Sequence, residues 1–124
     1  MPLKYKDTTE TIIGAAFEVH NILGYGFLEK VYQKAMQVEL THRGSNATLE
    51  TAIQVNYKGF IIGNYFADLL VDDKVIVELK VAETYNPYDE AQLINELKAT
   101  NIPVGLLINF GKERVEFKRL IHTQ

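Results

Sequence analysis

The alternation of apolar and polar positions is densest between Tyr65 and Val81, where Tyr-Phe-Ala-Asp-Leu-Leu-Val is followed by Asp-Asp-Lys and then Val-Ile-Val-Glu-Leu-Lys-Val. Two strand-forming runs around a short polar cluster predict a β-hairpin, with strands 65–71 and 75–81 and the turn Asp72-Asp73-Lys74. With a three-residue loop Val71 faces Val75, and counting outward sets Asp68 opposite Glu78, with Lys80 farther along the same face. Ala67, Leu69, Val71, Val75, Val77, Leu79 and Val81 then line the other face. A two-residue loop would put Glu78 and Lys80 among the valines, because a slip of one residue flips every side chain. The segregated register is therefore preferred.

The pattern on either side predicts the remaining elements. A first helix begins at Asp7 or Thr8 and runs to about Leu23, with an apolar stripe of Ile13, Ala16, Phe17 and Leu23. His20 falls on or beside that stripe, as a packed, hydrogen-bonded histidine would. Gly24-Tyr25-Gly26 breaks the helix. A second helix, Phe27 to Arg43, is closed by Gly44 and carries Leu28, Val31, Ala35 and Val38 at core spacing. Glu29 in its first turn complements the helix dipole, and Tyr32 shares its face. Ala47 to Tyr57 reads as an edge strand and Lys58-Gly59 as a turn. Phe60 to Asn64 with the first hairpin strand makes either one long strand or two pieces broken at a bulge at Gly63, completing a three-strand antiparallel meander. Asn86-Pro87 opens a helix to about Ala99 that buries Ala91, Ile94 and Leu97. Gln92 and Glu96 lie off that stripe, although a helix following the hairpin can bring Gln92 over its carboxylates. Val104 to Phe110 is apolar throughout, as in a strand buried on both faces and parallel to its neighbour, and Val115 to Leu120 adds a last strand. The expected fold is α/β, a mixed central sheet flanked by helices.

Composition narrows the classes. A chain of 124 residues with 47% apolar and 23% charged residues is expected to form one domain, residues 1–124, with a substantial core. The absence of cysteine excludes disulfides, zinc-thiolate sites and cysteine nucleophiles. No signal-peptide pattern and no apolar run of about 18 residues is present, so the expectation is a cytoplasmic protein with no membrane partner. The net charge of −3 supplies no general attraction to nucleic acid. Lys112, Arg114, Lys118 and Arg119, with Lys4 and Lys6 at the other end, read as scattered solubilising charge.

Carboxylates placed opposite one another repel and raise each other's pKa unless a cation lies between them. Mg²⁺ suits Asp68 and Glu78, since it takes hard oxygen ligands and keeps positions for water and substrate phosphate. Lys80 would touch the same phosphate or the attacking water. An ordinary cross-strand charge cluster on a solvated sheet face would carry the same residues.

Asp68 followed by Glu78-Leu79-Lys80, on a hairpin between helices, resembles the PD-(D/E)XK nuclease superfamily. Within it the chain is similar to the GxxExxY branch, whose motif stands here as Gly26-Phe27-Leu28-Glu29-Lys30-Val31-Tyr32. The resemblance implies a restriction-endonuclease-like core and Mg²⁺ or Mn²⁺ as cofactor, bound by Asp68, Glu78, the backbone carbonyl of Leu79 and Glu29. It implies Lys80 as the catalytic lysine, in an orienting role, and Gln92, His20 and Tyr32 as residues lining the site. Two positions depart from the pattern. Glu96 stands where the branch has tyrosine, and Ala67 replaces the proline of the superfamily's name. The implied activity is phosphodiester hydrolysis, on DNA ahead of RNA, with a local cleft, a homodimer or a partner protein supplying the basic groups that the surface lacks. The rival expectation is a non-catalytic nucleic-acid or protein interaction module that retains the fold.

Overall fold

The computed structural model describes residues 3–123. Its hairpin turn is the three-residue loop. Asp72 and Asp73 both adopt left-handed backbone, φ 53° and 56°, which aspartate tolerates better than most residues. Here Asp72 Oδ1 accepts from Asn46 N–H at 2.8 Å, and Lys74 N–H donates to the Val71 carbonyl at 2.9 Å.

Around this turn the elements follow as α1 (Lys6–Leu23), α2 (Glu29–His42), β1 (Ala47–Tyr57), β2 (Phe60–Val71), β3 (Val75–Lys80), α3 (Pro87–Thr100), β4 (Val104–Asn109) and β5 (Glu116–Ile121). The strands form one sheet in sequence order, with β3 and β4 parallel and every other neighbouring pair antiparallel. A parallel pair requires a crossover connection, and α3 supplies it. β1 is an edge strand, as its interrupted pattern predicts. The bulge falls beside Gly63, since Val55 pairs with Gly63 and Asn56 with Ile61, leaving Ile62 unpaired. These elements bear out the expected mixed α/β architecture.

The sheet has a core on each face. On one, α1 and α2 cover Leu69, Val71, Val75, Val77, Leu79, Leu106 and Ile108; on the other, α3 places Leu93 and Leu97 over Ile53, Ala67, Ile76, Leu107 and Leu120. Ala67 therefore does not share a face with Leu69. Glu50 (φ 53°) and Asp68 drop out of the β1–β2 register, and the alternation is interrupted between them. β3 ends at Lys80, which leaves Val81 half-exposed beyond the strand.

The helices occupy the expected stretches but present different faces. α1 starts at Lys6 after Tyr5, without a side-chain cap, and buries Thr9, Ile12, Ala15, Ala16, Val19 and His20, leaving Phe17 exposed. α2 buries Tyr32, Gln33, Met36 and Leu40, while Leu28, Val31 and Val38 face outward. α3 is capped as predicted, Asn86 Oδ1 accepting from Tyr88 N–H at 3.0 Å, yet it buries Leu93, Glu96 and Leu97 and exposes Ala91. Polar inward positions, Gln33 and Glu96 above all, rotate α2 and α3 away from the stripes that apolar spacing alone selects.

Beyond β3 and β4 the chain is clamped by Asn109. Its Oδ1 accepts from Ala82 N–H (3.0 Å) and Gly111 N–H (2.9 Å), and its Nδ2 donates to the Ala82 carbonyl (2.8 Å). A Cβ at Gly111 would lie 2.5 Å from the Val81 carbonyl carbon and 2.6 Å from Ala82 N, both backbone atoms. Gly111→Ala must therefore push the end of β3 aside, with an expected loss of about 1–3 kcal/mol in urea unfolding. An unchanged midpoint would show that the two segments separate freely.

Candidate active site

Main-chain pairing between β2 and β3 runs from Val71–Val75 to Leu69–Val77. At the next position, where the register sets Asp68 against Glu78, side chains take over. Asp68 N–H donates to Glu78 Oε1 at 2.9 Å, and Leu79 N–H donates to Asp68 Oδ2 at 2.8 Å. Each carboxylate satisfies an amide that an ordinary rung would have paired. In extended backbone the N–H and C=O of one residue point the same way, so the Leu79 carbonyl also faces Asp68. Lys80 is half-buried with its Nζ 3.7 Å from Asp89 Oδ1 on α3, and its charge favours the ionised forms of Glu29, Glu78 and Glu96.

α2 brings the next carboxyl. Gly26 adopts φ 113°, a conformation that disfavours any side chain, and the helix then begins at Glu29. Tyr32 Oη donates to the Gly24 carbonyl at 2.6 Å and accepts from Phe27 N–H at 3.3 Å, tying the turn to the helix start. This holds the Glu29 carboxyl within hydrogen-bonding reach of Asp68. Gln33, one residue beyond Tyr32, donates from Nε2 to the Asp68 carbonyl (2.9 Å) and to Glu50 Oε1 (3.2 Å). It positions Asp68 from behind, and no motif marks it in the sequence.

The carboxylate that sequence reasoning missed is Glu96. Expected on an outer face of α3, it is 3% exposed, abuts Glu78, and receives a 3.4 Å hydrogen bond from Gln92 Nε2. Its Oε1 is buried with no hydrogen-bond partner among the described residues. Four carboxyls thus stand in a row, Glu29, Asp68, Glu78 and Glu96, contributed by α2, β2, β3 and α3. An acidic residue on the helix after the hairpin was visible, but not the rotation that buries it.

Two expected lining residues lie elsewhere. His20 Nε2 donates to the Lys112 carbonyl (2.7 Å), and the ring stacks on Phe110, which stacks in turn on Tyr32 at 4.6 Å between ring centroids. This aromatic row belongs to the core under α1 and α2 rather than to the carboxylate row, because Phe110 is the fully buried ring on which both can pack.

The carboxyl row has more negative groups than Lys80, already shared with Asp89, can offset. Glu78 is pushed up to about 9, first by burial and then by the charges of Glu96 and Asp68. Glu29 is raised to about 7, again chiefly by burial, then by Asp68, and Glu96 is raised by burial. Among the described residues no three carboxylate or histidine side chains already stand ready to close on one metal ion. The donor chemistry nevertheless fits a hard divalent cation. It is all oxygen, it includes a main-chain carbonyl, and it is short of positive charge where Asp68 and Glu29 meet, with Lys80 already shared with Asp89.

A mixed sheet with a three-strand meander, helices on both faces and acidic residues at its opened hairpin defines a nuclease-type α/β core. The chain matches the PD-(D/E)XK nuclease superfamily over residues 6–120 and belongs to it. Among solved structures it is similar to SSO0001, with 16% identity and a TM-score of 0.57 over 98% of this chain and 61% of that one. It is also similar to LHK-Exo, an alkaline exonuclease from Laribacter hongkongensis solved with dAMP, with 12% identity and a TM-score of 0.53 over 93% and 83% of the two chains. The chain thus spans about six-tenths of the length of SSO0001. No curated protein matches it in sequence.

The raised carboxyls fix the sign of a pH effect. The folded protein without metal keeps protons at Glu78 and Glu29 that the unfolded chain releases near 4.5, so their contribution to stability is complete below that pH and is lost as pH rises through about 7 and about 9. In chelator, Tm is expected to fall from about pH 5 to about pH 9, and Glu78→Gln should flatten the upper part of that fall. A Tm that rises over this range in the wild type would contradict the charge row.

Proposed function

We propose that the protein is a metal-dependent phosphodiester hydrolase acting on DNA, with Mg²⁺ or Mn²⁺ held by Asp68, Glu78, the Leu79 carbonyl and Glu29. The observation that carries this reading is the row of carboxyls that α2, β2 and β3 bring side by side at the opened hairpin, with Lys80 on the strand of Glu78. Superfamily membership supports the hydrolase, and the dAMP bound by LHK-Exo supports a nucleotide-bearing substrate. A bound divalent ion would lower the pKa of a water and offset charge on the phosphate. Asp68 and Glu78, fixed by their amide bonds, hold their carboxylates in place before substrate arrives. Lys80 donates to the phosphate oxygens or orients the water, and its contact with Asp89 keeps the ammonium over the site. The spacing of Gly26, Glu29 and Tyr32, with the turn that Tyr32 anchors, supports placing the chain in the GxxExxY branch.

Among the described residues no helix is long and apolar enough to cross a membrane. The cytoplasm is kept as the proposed location, as the sequence leads one to expect.

Calorimetric titration of Mn²⁺ tests the site. Wild type should bind the ion and cleave labelled DNA only in its presence. The double variant Asp68→Asn/Glu78→Gln keeps oxygen acceptors for the two amides and should stay folded while losing both activities. A well-folded wild type that binds no Mn²⁺ would sink the reading. Separately, Lys80→Ala should leave Mn²⁺ affinity nearly unchanged while lowering kcat roughly 10²- to 10³-fold, as loss of one charge-stabilising donor does.

A further inference from the structure

We infer that the cleft between α3 and the β1–β2 hairpin seats unpaired nucleobases, so that the strand to be cut enters single-stranded; this rests on the hydrolase reading above. β2 pairs with β3 only over residues 69–71, and its first eight residues, with the facing part of β1, project past the sheet as a two-stranded arm. Between that arm and α3 lies a cleft of about 830 Å³. That volume is in the range of sites for small organic ligands, enough for a nucleotide and too little for a duplex.

The lining suits bases. Tyr65 on the arm and Tyr88 at the start of α3 are exposed at 49% and 77%, the first paired with Ile53 across the arm, and Ile53 and Val55 give the lining its apolar part. Asn56, Gln92 and Asn95 add amide donors and acceptors of the kind that pair with base edges. Glu96 lines the cleft and also abuts Glu78, and Gln92 beside it donates to Glu96, so the cleft adjoins one end of the carboxyl row.

Charge decides between paired and unpaired substrate. Double-stranded DNA is held largely by lysine and arginine on its phosphates. This chain carries a net charge of −3, and among the described residues Lys98 is the one basic residue in the cleft lining. Lys118 is paired with Glu90 at 2.9 Å, Lys112 with Glu116 at 3.2 Å, and Arg119 donates to the Lys4 carbonyl. Affinity must then come from base faces, which a duplex stacks away and a single strand presents.

Fluorescence anisotropy of a short labelled oligothymidylate, in chelator so that the strand stays intact, tests this. The base-bearing strand should bind more tightly than an abasic strand of equal length and than a duplex, with a shallow salt dependence. Tyr65→Ala and Tyr88→Ala, both at exposed positions, should each weaken binding roughly five- to a hundredfold. Equal affinity for the abasic strand, no measurable binding, or no effect of the double tyrosine variant overturns the cleft. Cleavage in Mn²⁺ is scored independently. Metal-dependent cleavage with base-independent affinity removes the cleft and leaves the hydrolase, whereas base-dependent binding without cleavage removes the hydrolase and leaves the cleft.

Discussion

The molecule depends on how the hairpin opens at Asp68. From Val71 to Leu69 the two strands are a ladder; at Asp68 the rungs become side chains, Glu78 accepting from one amide and Asp68 from another. Buried amides left unpaired would cost about 1–3 kcal/mol each, so both carboxylates are pinned by the backbone they satisfy. Two things follow from the same exchange. The Leu79 carbonyl is left facing the carboxylates, and β2, released from β3, continues with β1 as the arm that bounds the cleft.

Around that point the structure tolerates charge that folding alone does not reward. Glu78 and Glu96 are buried against each other, and Glu29 leans on Asp68, with Lys80 as the nearby counter-charge and Asp89 sharing it. Apolar residues of similar size would stabilise the metal-free protein, because burying carboxyls side by side costs more than it returns. Such conflict between local stability and sequence is concentrated where a protein acts. The conflict here is also graded. Asp68 and Glu78 are held by main-chain bonds, Glu29 by the turn that Tyr32 anchors, and Glu96 by side chains, Gln92 and Glu78.

The fold delivers these groups from four elements that are far apart in the chain. Parallel pairing of β3 with β4 forces α3 across the sheet, which carries Gln92 and Glu96 over β3. Gln33 and the Phe110 stack fix α2 against the opposite face, and Glu29 is set at its first turn. Neither helix could rotate to bury its apolar stripe without withdrawing a carboxyl or the glutamine behind Asp68.

That competition separates what the sequence determined from what the tertiary structure decided. Alternation and turn chemistry were enough for the hairpin register, the aspartate loop, the edge position of β1, the buried parallel β4 and the Asn86 cap, because each rests on neighbouring residues or a period of two. The pairing of Asp68 with Glu78 was legible for that reason, and the resemblance in the Gly26-Glu29-Tyr32 motif pointed to a third carboxyl. Helix faces were not legible. Spacing selected Leu28, Val31 and Val38 on α2 and Ala91 on α3, all of which lie outside the core, because it cannot register a distant acceptor such as the Asp68 carbonyl for Gln33. Glu96 was placed outside and Ala67 beside Leu69 for related reasons: burial of a carboxyl beside another, and a break in alternation shared by Glu50 and Asp68, arise only when strands and helices from different parts of the chain meet.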